Sequence, residues 1–164
     1  MDDPVLRDAA EADLPRILAL NEGEERHTSP LDLEQLRFLH SISAYHRVIS
    51  IDGTAAAFLL ALREHAPYQN DNYAWFSSRC PEFIYIDRVV VDARQQGKRL
   101  GSRLYHDLFS FARRQDVPTV ACEFNIVPPN EPSRLFHARF GFEEVGTQWL
   151  AGGTKQVSLQ TATL

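Results

Sequence analysis

The stretch Val89-Val90-Val91-Asp92-Ala93-Arg94-Gln95-Gln96-Gly97-Lys98-Arg99-Leu100-Gly101-Ser102 carries an apolar, β-branched strand through a polar turn into a helix. The strand starts at Phe83, and its nearly continuous apolar run to Val91 predicts burial on both faces. The helix is marked by Leu100, Leu104, Leu108, Phe111 and Ala112 at helical spacing and ends near Arg114. Backbone N–H groups in such a turn and at the helix start form an anion site, strengthened by the helix dipole. Gly97 and Gly101 permit close approach to the backbone. Lys98, Arg99 and Arg103 add mobile positive charge. The arrangement suits a pyrophosphate, although a plain glycine turn before a helix has the same pattern. Neither the G-x-x-x-x-G-K-[ST] loop nor the dinucleotide G-x-G-x-x-G is present.

Upstream, Val5 to Arg7 reads as a short strand and Glu11 to Leu20 as a helix, with Leu14, Ile17, Leu18 and Asn21 on one face. A charged connection, Glu22 to Pro30, leads to a second helix from Leu33 to about Ser43. Asp52-Gly53 between Val48–Ile51 and Thr54–Arg63 is a strong hairpin signal. His65 to Arg79, with Tyr68, Tyr73, Trp75 and Phe76, reads as a long loop or broken helix, a length usually tied to function. Downstream, Thr119 to Val127 is a strand stopped by Pro128-Pro129. Asn130 caps a helix running to Phe140, which Gly141 ends. Glu143–Trp149 and Thr154–Leu159 are the last strands. The order is β-α-α-β-β-β-α-β-α-β-β: mixed α/β, with a hairpin in the first half and a β-α-β crossover in the second.

The 164 residues predict one domain, 1–164, large enough to bury a core without metal or disulfide. The net charge of −5 argues against a general nucleic-acid binder. The longest apolar run, Ala55–Leu62, is far short of the ~20 residues of a membrane span. The acidic start Met1-Asp2-Asp3-Pro4 lacks a signal-peptide pattern, and Cys80 and Cys122 are too few for a disulfide framework. A cytoplasmic protein is expected. His27, His40, His46, His65 and His106 show no metal-ligand spacing, so no metal is expected.

Two motifs carry a resemblance. Gln96-Gly97-Lys98-Arg99-Leu100-Gly101 resembles the [QR]-x-x-G-x-[GA] loop of the GNAT superfamily of acyl-CoA-dependent N-acyltransferases, with Arg99 in place of a glycine. Asn130-Glu131-Pro132-Ser133-Arg134-Leu135-Phe136-His137-Ala138-Arg139-Phe140-Gly141-Phe142 resembles its N-x-x-[AS]-x-x-x-Y-x-x-x-G-F helix and turn. The resemblance implies a mixed α/β (α+β) fold: a mostly antiparallel sheet of about seven strands with a V-shaped splay and about four flanking helices. It also implies an acyltransferase, of the class moving groups other than aminoacyl groups. The donor is acetyl-CoA and the acceptor a primary amine, on a small molecule or a peptide N-terminus, attacking directly in a ternary complex. Val89, Val90 and Val91 would pair with the pantetheine arm. Gln96, Gly97, Lys98, Arg99, Leu100, Gly101 and Ser102 would cradle the pyrophosphate. Asn130 would bond the pantetheine, cap its helix, or do both. The family often forms dimers, which leaves a homodimer open.

Such a reaction needs a route for the amine proton, an oxyanion site and a proton for the thiolate. Glu123 lies on a strand with Ala121 and Asn125 on its face, where family members that act on peptide N-termini carry a catalytic glutamate. Asp87, one strand earlier beside Tyr85, is a second candidate base; its alternative is a salt bridge to a neighbour such as Arg88. His137 stands at the family's tyrosine position. Its imidazolium is a stronger acid than a thiol, so it is the candidate acid, or else a group that bonds cofactor or backbone. On the acid reading, His137→Ala lowers kcat far more than acetyl-CoA binding. Cys122 is expected to be an inert buried thiol. Asn21 to Pro30, with His27, falls where the family places its acceptor loop; Glu22, Glu24 and Glu25 there either attract a cationic amine or form a solvated charge run. A non-catalytic acyl-CoA-binding module is the rival reading. A flavodoxin-type domain is opposed by the Asp52-Gly53 hairpin.

Overall fold

The structure is a computed structural model that describes residues 3–25 and 28–164; His27, expected in the acceptor loop, lies outside the described residues. In chain order the elements are β1 (Val5–Asp8), α1 (Leu14–Glu22), α2 (Leu33–Ile42), β2 (Tyr45–Ile51), β3 (Thr54–Arg63), α3 (Asp71–Ser77), β4 (Ile84–Val91), α4 (Leu100–Arg114), β5 (Thr119–Val127), α5 (Glu131–Arg139), β6 (Glu143–Leu150) and β7 (Lys155–Thr163). The strand order is β1-β2-β3-β4-β5-β7-β6. The expected seven-stranded, mostly antiparallel α/β fold is present. Among the described residues there are five α-helices, of which α3 forms inside the stretch read as a loop or broken helix.

The chain forms two compact units: residues 1–62 with 86–111, and residues 63–85 with 112–164. In the first unit, β1 and β2 pair antiparallel from Val5↔Ser50, and β2 pairs antiparallel with β3 from Tyr45↔Ala61. The hairpin turn puts Asp52 and Gly53 at φ 54° and 78°, the two left-handed residues that a tight two-residue turn requires. Strand β3 is buried on both faces from Ala55 to Leu62. Its alanines and leucines favour helix in isolation, and the hairpin and packing override that weak preference. Leu14 and Ile17 of α1, Leu36 of α2, Phe58 and Leu60 of β3 and Leu104 and Leu108 of α4 are fully buried. Asp13 accepts from the Ala10 amide at 2.7 Å and takes both ends of the Arg7 guanidinium at 2.7 and 2.9 Å. The Arg7 hydrogen bond holds its carboxyl below the usual range. Asp32 and Gln35 exchange side-chain-to-backbone bonds and so cap α2.

In the second unit, the first residues of β4 pair parallel with β5 (Ile84↔Val120, Tyr85↔Ala121). Strand β7 pairs antiparallel with both β5 and β6, and runs four residues past the expected Leu159. Asn70 caps α3 by accepting from the Asn72 and Tyr73 amides at 3.0 Å. Asn130 caps α5 through the Ser133 amide at 3.3 Å, and Gly141 follows the helix at φ 81°. No helix among the described residues is long and apolar enough to cross a membrane.

Candidate active site

The turn after β4 is built around Asp92. Its Oδ1 accepts from the Arg94 amide at 3.0 Å, while Oδ2 takes Arg16 at 2.6 Å and Arg94 at 3.0 Å. These bonds, Arg94 foremost, pull its pKa down to about 2. The carboxylate is thereby neutralised at the base of the turn. Gly97 follows at φ 84°, with nothing within 4 Å of where a Cβ would stand. Arg99 is exposed at φ 58°. The left-handed backbone explains why glycine suits this position, and the exposure explains how an arginine is accommodated.

The Arg103 amide makes the helical bond to the Arg99 carbonyl at 3.1 Å. The amides of Leu100, Gly101 and Ser102 precede it, in the first turn that has no acceptor four residues back. Lys98 donates to Gln95 Oε1 at 2.5 Å and Arg103 to the Pro4 carbonyl at 2.9 Å. The turn thus offers backbone donors at the start of a 15-residue helix, with cations around them. That donor set fits a pyrophosphate. On the strand leading to it, Val90 is buried while Val89 and Val91 are half-exposed. This part of β4 is therefore open on one side, a correction to the expected burial on both faces.

Asp87 and Arg88 form an ion pair at 2.7 Å with side chains 3% and 4% exposed. The salt bridge expected as the alternative to a catalytic Asp87 is therefore what the structure shows.

Glu123 belongs to the second unit. Its Oε2 accepts from the hydroxyl of Tyr85 at 2.8 Å. Tyr85 is fully buried, and its ring meets Tyr73 edge-on at 5.6 Å and Phe76 at 5.9 Å. A buried phenol requires a partner for its O–H, and here the partner is a carboxylate. Glu123, Leu159 and Gly146 lie in one row across β5, β7 and β6, with side chains on one face. Trp75 of α3 sits over Gly146 on that same face, so α3 covers the side of the sheet to which Glu123 points.

His137 lies on the other face. Its ring stacks on Phe124 at 5.5 Å and meets Phe136 and Phe142 edge-on. Phe124 follows Glu123 on β5, and successive strand residues point to opposite faces. The two expected catalytic groups are therefore on opposite sides of β5. His137 Nδ1 stands 2.7 Å from the Ser133 carbonyl, which accepts only, so this nitrogen carries the proton. Burial holds the imidazole below its ordinary pKa. The neutral ring is favoured over the imidazolium that an acid role requires.

Cys122 is buried, and burial pushes its thiol well up, as expected for an inert residue. Among the described residues no group of three or more His, Cys, Asp or Glu side chains could hold a metal. Sequence reasoning missed four partners: Tyr85 for Glu123, Ser133 for His137, and Asn21 and Ser29 for Arg88. The available signals were a tyrosine in a buried strand, a serine one helical turn before the histidine, and an arginine inside an apolar run.

A model of the Acetyltransferase (GNAT) family matches residues 8–142. A phosphinothricin N-acetyltransferase of Streptomyces coelicolor is 41% identical over 59 residues, 36% of this chain and 33% of the relative. The chain thus aligns with about a third of that relative's length. Ard1 from Thermoplasma volcanium superposes with a TM-score of 0.79 at 15% identity, covering 98% of this chain and 97% of the other. YncA from Salmonella typhimurium, a putative acetyltransferase solved with acetyl-CoA, superposes at 0.75 with 17% identity, covering 99% and 95%.

Proposed function

The chain belongs to the acetyltransferase (GNAT) family, and from that membership we propose that it moves the acetyl group of acetyl-CoA to a primary amine. The acceptor is a small molecule or a peptide N-terminus, attacking directly in a ternary complex, and residues 1–164 act as one catalytic domain. One observation carries the reading: the family match runs through a turn whose donors suit a pyrophosphate, with Asp92 already neutralised by Arg16 and Arg94.

Acetyl-CoA supplies the activated thioester. The backbone from Gln96 to Ser102 holds the pyrophosphate, with Lys98 and Arg99 adding charge. The open side of Val89–Val91 offers backbone groups to the pantetheine amides. Asn130 keeps its capping bond through Oδ1 and offers its amide NH2 to the same arm. Glu123 attracts the ammonium of the acceptor and takes up its proton, directly or through water. Tyr85 holds that carboxylate in place. Asp87 is engaged with Arg88, which favours Glu123 as the proton acceptor. His137, neutral and stacked, anchors α5 on β5.

The test is coenzyme A release with a panel of amines: phosphinothricin, benzylamine, spermidine and a hexapeptide with N-terminal alanine. Acetyl-CoA binding is measured in parallel by calorimetry. Turnover of at least one amine is expected, with a Glu123→Gln variant that binds acetyl-CoA normally and turns over poorly. Tight binding with no turnover on any amine would replace this reading with the non-catalytic acyl-CoA-binding module.

A further inference from the structure

Arg88 lies in the middle of β4 with its side chain almost wholly buried. Its Nε donates to Asp87 Oδ2 at 2.7 Å. Its Nη1 donates to Asn21 Oδ1 at 3.0 Å and to the Ser29 carbonyl at 2.9 Å, and its Nη2 to Ser29 Oγ at 3.0 Å. Asn21, fully buried at the end of α1, also donates through Nδ2 to the Ser29 carbonyl at 3.0 Å. Ser29 is exposed, and the stretch Thr28–Leu31 lies outside any helix or strand, with the Thr28 amide bonded to the Glu24 carbonyl at 3.0 Å. A planar fork with fixed donor directions therefore sets the position of a surface segment that regular structure does not hold.

A cation in this environment demands a counter-charge, and Asp87 supplies it. Leucine or valine at residue 88 would fill the strand at lower desolvation cost. The guanidinium is distinguished by what it can do at Ser29: three N–H groups converge on two oxygens of one residue and on the amide that braces it.

We propose that Arg88 is a positioning residue for acceptor recognition. It fixes the backbone at Ser29, and with it the stretch Thr28–Leu31 that leads into α2. Asp87 serves as its counter-ion and takes no part in proton transfer. The proposal rests on the acetyltransferase reading given above and on the place that the resemblance implies for the acceptor loop, beside Glu22, Glu24 and Glu25.

The experiment compares wild type with Arg88→Lys, Ser29→Ala and Asp87→Asn. Arg88→Lys keeps a cation beside Asp87 but loses the fork. Ser29→Ala changes a surface side chain and leaves the ion pair intact, so it reports even if the buried variants fold poorly. The acceptor is the panel amine that the wild type acetylates fastest. Arg88→Lys is expected to raise KM for that amine at least tenfold, with KM for acetyl-CoA within twofold and kcat within threefold. Ser29→Ala is expected to move KM for the amine in the same direction by less. Amide exchange at Thr28, Ser29 and Leu31 is expected to quicken about tenfold in Arg88→Lys, while β2 and β4 keep their protection. An unchanged KM for the amine with a loosened segment makes the role merely structural and overturns the proposal. Unchanged exchange at Thr28–Leu31 overturns it too, as does an Asp87→Asn variant that loses kcat as fully as Glu123→Gln. If the wild type acetylates none of the amines, the acetyltransferase reading is what fails. Exchange at Thr28–Leu31 then decides separately whether Arg88 positions Ser29.

Discussion

His137 and Glu123 stand on opposite faces of β5, because the imidazole stacks on Phe124 and Phe124 is the neighbour of Glu123 on the strand. Nδ1–H is committed to the Ser133 carbonyl, and burial favours the neutral ring over the imidazolium. The loss of kcat in His137→Ala should therefore be the same at pH 6.5 and pH 8.5. An imidazolium acid would make the loss change with pH, since its protonated fraction changes over that range. Parallel pH profiles of kcat for wild type and variant decide between the two.

Glu123→Gln keeps the shape of the side chain and the hydrogen bond from Tyr85, but removes the charge and the proton acceptor. General-base assistance typically contributes about 10²–10⁴-fold. The expected result is a loss of kcat in that range with acetyl-CoA affinity within twofold. Tyr85→Phe should lose less, because the carboxylate stays and only its anchor goes. A Glu123→Gln enzyme with wild-type kcat would remove Glu123 from the chemistry.

His46 is buried, with Nδ1 2.7 Å from His40 Nδ1 and its Nε2 without a partner among the described residues. Burial, and then the charge of His40, lower its pKa to about 3. Burial lowers that of His137 as well. In the unfolded chain both rings protonate near the ordinary value of ~6.5. Below that pH the unfolded state binds more protons than the folded one, so stability is complete above about 6.5 and falls on acidification. For His46 the loss is about 2 kcal/mol between pH 6.5 and 5, and His137 adds to it in the same direction. The lowered carboxyls of Asp13 and Asp92 add their own loss only near and below the ordinary carboxylate pKa of about 4. Urea unfolding at pH 7.5 and pH 5 should show the decline, and His46→Phe should reduce it by the His46 share. An equal decline in the variant would mean that His46 titrates normally.

The features legible in the chain were those fixed by near neighbours. Asp52-Gly53 specified a two-residue hairpin, Asn130 a helix cap, Gly141 a helix end, and strand alternation set the face of Glu123 among its own neighbours. Helix α3 was not legible, because Tyr73, Trp75 and Phe76 are indifferent helix formers and the segment is short. It depends on the Asn70 cap and on packing against Phe83 and Tyr85. The Tyr85–Glu123 bond joins residues 38 apart and exists because β4 and β5 pair in one register (Tyr85↔Ala121). No local pattern states that register. The same holds for Arg88, whose partners lie 59 and 67 residues away, and for the face of β5 that α5 covers.

Arg99 occupies a left-handed backbone position at φ 58°. A non-glycine residue there costs about 1–2 kcal/mol. Arg99→Gly should recover part of that, offset by the greater freedom of glycine in the unfolded chain. The net expectation is a stability gain of up to about 1 kcal/mol by urea unfolding. Arg99→Ala keeps the strained backbone and loses only the charge. If the guanidinium assists the pyrophosphate, both variants should bind acetyl-CoA more weakly, by similar factors, and the difference should shrink at high salt. Undiminished affinity in both would leave phosphate binding to the backbone amides and the other cations.

Gly146 lies beneath the indole of Trp75, and a Cβ on it would come within 2.4 Å of Trp75 Cζ2. The Arg79 guanidinium also stands over that indole, 3.9 Å from the ring centre. Gly146→Ala must push the indole outward. Overpacking of this kind typically costs about 1–3 kcal/mol. Because Gly146 shares its row with Leu159 and Glu123, displacing Trp75 also disturbs the cover over the carboxylate. The expected result is a destabilised protein whose Trp75 emission shifts to the red, read in a Trp149→Phe background that leaves one indole. Trp75→Leu should relieve the clash, so the double variant should be less destabilised than the sum of the two single changes. Strict additivity would show that Trp75 does not rest on Gly146.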